Sequence, residues 1–169
     1  MLGNVEGTVG LDLCCGAGTF GLEALSRGAA EVVFVDRSPR SLKIVRANLD
    51  TVGVDEEALL VRGDVEKPLP LERLLPRRFD WLFLDPPYAL VESPAGRTRI
   101  AERLRELAHA GAFEDDPWIL LEHRSRIASL LSDGGLEIVE TRAHGEGAVS
   151  FLRAPSGHDA DGGPYTAGD

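Results

Sequence analysis

The stretch LDPPYAL, residues 84–90, sets an acid, two prolines and an aromatic directly behind a hydrophobic run. That run, Phe79–Leu84 (FDWLFL), reads as a short buried strand. Neither proline has an N–H to donate and both fix φ, so helix and strand alike must stop there. Asp85 therefore sits at the carboxyl end of a strand, on a backbone that cannot relax. Open α/β sheets bind their ligands at that edge. An acidic strand end followed by a Pro-rich turn has the same sequence, and this stretch alone leaves both readings open.

A second stretch, DLCCGAGTFG, carries Gly16, Gly18 and Gly21 in GxGxxG spacing. Glycines let a backbone approach a ligand closely, and a helix opening behind them presents free N–H groups. Dinucleotide enzymes share this spacing, and many strand–helix turns need glycine for structural reasons. Asp36 ends the following strand, and a carboxylate there can accept from both ribose hydroxyls of an adenosine. The two features together favour a nucleoside cofactor. Asp64, in RGDV, could accept from the adenine amino group, with the Val65 N–H facing a ring nitrogen; a solvated turn acid is the competing reading. A nicotinamide enzyme would need a second, substrate-bearing domain for which 169 residues leave no room. S-adenosylmethionine needs only an adenosine pocket and an open site beside it, which fits this inventory better.

The elements that must position these groups alternate. Strands are expected over Val9–Cys14, Glu31–Asp36, Ala58–Arg62, Phe79–Leu84 and Trp118–Glu122. Helices are expected over Phe20–Arg27, closed by Gly28, from Ser38-Pro39 onward with Leu42, Val45 and Leu49 inward, and over 98–109. Short helical pieces are expected at Leu71–Leu75 and Ile127–Leu131. Leu136–Thr141 and Ala148–Arg153, joined through HGEG, read as a hairpin. The alternation predicts an α/β fold with a mostly parallel seven-stranded sheet that ends in an antiparallel hairpin.

Composition narrows the classes further. Hydrophobic residues make up 43% of the chain, and no apolar run approaches membrane-spanning length. Cys14 and Cys15 are adjacent, which fits reduced thiols in a cytoplasmic protein, and no CxxC or HxxxH spacing suggests a metal. His109, His123 and His144 likewise lack metal or nucleophile spacing and read as structural or exposed. The net charge of −10 excludes a surface that grips nucleic acid throughout, so any such contact is confined to a patch. Arg97, Arg99, Arg103 and Arg105 lie near enough to meet phosphates, but the acids among them favour a solvated helix face. Residues 154–169 carry Asp159, Asp161 and Asp169 and no Lys or Arg, and read as a disordered acidic tail behind a single domain over 1–153.

DLCCGAGTFGLEALSRGAAEVVFVD, GD at 63–64 and DPPY at 85–88 resemble class I S-adenosylmethionine-dependent methyltransferases that act on amino nitrogen. More narrowly, GLEALSRGA, LLEH at 120–123 and the terminal strand pair resemble the bacterial 16S rRNA guanine-N2 methyltransferase family, over roughly residues 5–153. The resemblance implies a Rossmann-like fold and a cytoplasmic monomer acting on rRNA or the assembling small ribosomal subunit. It also implies roles: Asp85 and the Pro86 carbonyl accept from the two N–H groups of an exocyclic amine, and Tyr88 stacks on the target base. On the cofactor side stand Gly16, Gly18, Asp36, Asp64 and Val65, with Asp12 orienting the methionine end. A DNA adenine-N6 or cytosine-N4 methyltransferase uses the same DPPY logic, and an inactive cofactor-binding domain is a further alternative. Family members carry a basic segment with an Arg-Pro-Thr motif before the Gly-rich loop; nothing before Val9 matches it. That departure predicts weak RNA binding by residues 1–169 alone.

Overall fold

Valine-rich runs that end at turn residues form strands, and between them lie segments with helical apolar spacing. In the computed structural model, which describes residues 4–54 and 56–155, they assemble in the order β1 (Val9–Leu13), α1 (Thr19–Ser26), β2 (Glu31–Asp36), α2 (Pro39–Val52), β3 (Ala58–Arg62), α3 (Leu71–Leu74), β4 (Phe79–Leu84), α4 (Tyr88–Glu92), α5 (Pro94–His109), β5 (Phe113–Arg124), a 3-10 helix (Ser125–Gly134), β6 (Ile138–His144) and β7 (Gly147–Leu152). The seven strands form one sheet in the order β3-β2-β1-β4-β5-β7-β6. Strands β1 to β5 run parallel, and β7 pairs antiparallel with both β5 and β6. This is the expected parallel sheet with its terminal hairpin.

The sheet is covered on both faces. On one, α1 and α2 bury Ala24, Leu25, Val45 and Leu49 against Val32, Phe34, Trp81 and Phe83. Phe20 stacks on Phe83 at 3.7 Å between ring centroids on this side. On the other, Ile100, Leu104 and Leu107 of α5, with Ile127 and Leu131 of the 3-10 helix, pack on Leu11, Leu82 and Leu121. Among the described residues no helix is long and apolar enough to cross a membrane.

Four expectations shift. Helix α5 begins at Pro94 rather than residue 98, because Ser93 Oγ accepts from the Gly96 N–H at 3.0 Å and proline occupies the first turn. The fifth strand starts at Phe113: its pairing with β4 jumps from Phe79↔Phe113 to Trp81↔Trp118, and the acidic segment between them bulges out. The piece at Ile127–Leu131 belongs to a ten-residue 3-10 helix. Arg97 is not on a solvated face; it is 3% exposed, with a guanidinium nitrogen donating to the carbonyls of Val91 and Glu92. The acidic tail, from residue 156 onward, lies outside the described residues.

Candidate functional site

The sheet order reverses at β1, which lies between β2 and β4. The crevice at such a reversal opens beyond the carboxyl ends of the strands. A cavity of about 700 Å³ occupies that place. Its walls come from the ends of four consecutive strands: Cys14 and Gly16 after β1, Asp36 and Arg37 at β2, Asp64 and Val65 after β3, and Asp85 to Leu90 after β4.

Asp36 is held by the backbone. Its Oδ2 accepts from the Gly16 N–H at 2.9 Å and its Oδ1 from the Ser38 N–H at 2.8 Å. Each oxygen keeps a further lone pair for a ligand facing the cavity. Gly16 takes a φ of 54° and a Cβ there would meet nothing within 4 Å, so the bare backbone leaves space for a ligand. Asp64 serves its own turn, its Oδ1 accepting from the Glu66 N–H at 3.0 Å, and it also lines the cavity. The turn-acid reading is what the hydrogen bond shows, and the place in the wall leaves Asp64 facing any ligand there. These residues fit an adenosine-bearing cofactor by donor set and by space.

Two expected residues stand elsewhere. Asp12 is 1% exposed, lies outside the cavity wall, and accepts from the Gly21 N–H at 3.0 Å. It ties the end of β1 to the first turn of α1. Burial pushes its carboxyl up to about 7, with the charges of Asp85 and Asp36 adding to the rise against the lowering by the Gly21 N–H. Gly18 caps α1 with a φ of 78° and is buried where a Cβ would crowd Val45 and Phe34. Its contribution is to let the loop turn into α1.

On the opposite wall Asp85 opens to the cavity while its backbone N–H donates to the Leu13 carbonyl at 3.3 Å. Partial burial, with Glu122 beside it, pushes its carboxyl up to about 6. Pro86 is buried, and no hydrogen bond among the described residues engages its carbonyl oxygen. Tyr88 begins α4, and its exposed ring carries the Arg124 guanidinium 4.8 Å from the ring centroid.

Three participants escaped the sequence reading. Cys14 lines the cavity at a φ of 64°, left-handed backbone that a non-glycine residue seldom adopts. Its thiol is pushed up to about 12, by burial first and then by the charge of Asp36, so it is no nucleophile. Glu122 and Arg124 sit at the carboxyl end of β5, where polar residues closing the apolar run WILL were the available signal. Among the described residues no group of three or more His, Cys, Asp or Glu could hold a metal ion.

The chain is 32% identical over 148 residues to the Bacillus subtilis (strain 168) protein named "Putative rRNA methyltransferase YlbH", covering 88% of this chain and 77% of that one. It is 30% identical to the "Ribosomal protein uL3 glutamine methyltransferase" of Burkholderia pseudomallei (strain K96243), covering 85% of this chain and 54% of that protein, so it spans about half of that relative's length. A solved SAM-dependent methyltransferase from Aquifex aeolicus superposes with a TM-score of 0.65 at 12% identity, over 90% of this chain and 85% of that one, which shows the shared class I methyltransferase fold. Residues 1–153 match the family model described as "Conserved hypothetical protein 95", and the chain belongs to that family, the one to which GLEALSRGA and DPPY point.

Proposed function

We propose that this chain transfers a methyl group from S-adenosylmethionine to an exocyclic amine of an rRNA base, guanine N2 of 16S rRNA, in the cytoplasm. The observation that carries the reading is the single cavity on which both halves of such a reaction converge. Asp36, Asp64 and Gly16 form one wall, and Asp85, Pro86 and Tyr88 the other. The name of the Bacillus subtilis relative supports rRNA as the substrate class.

Asp36 would hold the ribose, Asp64 and Val65 the adenine, and the Gly16 backbone the chain between them. When bound, the cofactor supplies an electrophilic methyl carbon on a sulfonium. The chain's own residues supply the nucleophile's activation. An exocyclic amine on a purine is weakly nucleophilic because its lone pair is delocalised into the ring. An ionised Asp85 accepts one N–H and the free Pro86 carbonyl the other, which draws the nitrogen toward tetrahedral geometry and releases the lone pair. The two prolines keep that carbonyl from turning away, so the acceptors are preorganised. Asp85 also stabilises the positive charge that develops on nitrogen, and takes the proton the nitrogen loses.

Asp85→Ala should leave S-adenosylmethionine affinity within a few-fold and abolish transfer, since the carboxylate acts mainly in the transition state. Asp85→Asn keeps an acceptor and should retain a residual rate. The measurement is mass spectrometry of 16S rRNA nucleosides from a strain lacking the gene, complemented by either chain. Restoration of the methylated guanine by Asp85→Ala would overturn the assignment.

A further inference from the structure

Beyond the cavity wall, at the carboxyl end of β5, two guanidinium groups converge on one carboxylate oxygen. Arg124 lies over the Tyr88 ring and places its Nε 3.6 Å from Glu92 Oε1. Arg126 brings Nη2 to 2.6 Å from that same oxygen. Glu92 ends α4, and its backbone carbonyl is fixed from below by the buried Arg97 at 2.9 Å. Two cations thus share one anion, on a chain whose net charge is −10.

We propose that Arg124 and Arg126 dock one phosphate of the RNA strand that carries the target base, with Glu92 holding the pair in place until that phosphate displaces its carboxylate. This rests on the rRNA reading above. Guanidinium forks match phosphate oxygens bidentately, and two of them aimed at one point can each take one of the two non-bridging oxygens of a phosphodiester. The arginines of these pairs are solvent-exposed and Glu92 is half-buried, and ion pairs open to solvent are worth little, so exchanging the carboxylate for a phosphate costs little. Neither arginine lines the cofactor cavity, so the anion they meet belongs to a ligand that extends past it. Because Arg124 also covers Tyr88, the phosphate and the stacked base are gripped at adjoining points. The patch is the local exception that an acidic chain needs in order to hold a polyanion.

The test uses small ribosomal subunits isolated from a strain lacking the gene, with binding followed from about 50 to 200 mM salt. Arg126 is 64% exposed on its side chain and reaches across the surface to pair with Glu92, so Arg126→Ala should fold normally. Expected are about tenfold weaker binding and a log–log salt slope shallower by about 0.7–0.9, the signature of one lost phosphate contact. KM for subunits should rise with kcat and S-adenosylmethionine affinity unchanged. The double variant R124A/R126A should lose no more slope than the single one, since without Arg126 the remaining Arg124 is held by Glu92 and no longer grips the phosphate. Glu92→Gln should tighten binding at low salt. Wild-type methyl transfer accompanied by an unchanged slope and affinity in Arg126→Ala would overturn the phosphate site alone, and weaker binding by Glu92→Gln would overturn the placeholder role. Absence of binding and transfer by the wild-type chain would overturn the substrate reading and the site together.

Discussion

Asp85 shows how one carboxyl can be both exposed to a ligand and shifted in its protonation. Partial burial first, and then the Glu122 charge, raise it to about 6. Only the ionised form accepts without also presenting a proton, so the rate should rise with pH through about 6 and level off above it. Removing a neighbouring negative charge favours ionisation, so Glu122→Gln should move that inflection to lower pH while kcat above pH 7 changes little. A kcat profile on small subunits reads this directly, and an inflection that stays at the wild-type position would remove Glu122 from the site's electrostatics. Asp85 was legible in the sequence because prolines announce a strand end. Glu122 was not, because no local pattern in LLEH says which acid of another strand it will face.

At the scale of elements, the joint between β1 and α1 is made by a buried acid. Asp12 accepts the Gly21 N–H, one of the donors that a helix start leaves unpaired, but its carboxyl is raised to about 7, chiefly by burial. The unfolded chain holds Asp near 3.9. Between about pH 4 and pH 7 the folded state keeps a proton the unfolded state has lost, so stability falls as pH rises through that window, by something of order 4 kcal/mol. Asp12→Asn keeps the acceptor and cannot ionise. Its melting temperature should therefore exceed the wild type's at pH 8 and converge on it near pH 4; parallel curves would refute the buried-charge account. The same scale shows why some boundaries were legible and others not. Ser38-Pro39 announces α2, and Ser93-Pro94 announces α5 by the identical device, yet the latter lies so close behind DPPYALVE that turn and helix start merge in the sequence. The burial of Arg97 follows from tertiary packing against Gly134 and from carbonyls at the end of α4, which helical periodicity cannot foresee.

The whole molecule places its chemistry by topology. Strand alternation predicts a parallel sheet, but the order that puts β4 beside β1, and so Asp85 across from Asp36, comes from long-range packing. That arrangement makes ligand binding a matter of global stability. A ligand that spans the ends of β1, β2 and β3 binds only the folded chain, so at about one hundred times its Kd it should add about 2.7 kcal/mol. For a domain of this size that corresponds to a rise of roughly 5–10 °C in Tm with either S-adenosylmethionine or its demethylated product. Asp36→Ala should lower the Tm of the ligand-free chain as well, because the Gly16 and Ser38 N–H groups lose their acceptor. The informative quantity is therefore the ligand-induced increment, which should shrink by more than half in Asp36→Ala and in part in Asp36→Asn. Thermal denaturation with and without ligand separates the two roles of this residue. A lower baseline with an undiminished increment would make Asp36 a brace for the glycine loop and take it out of the binding site.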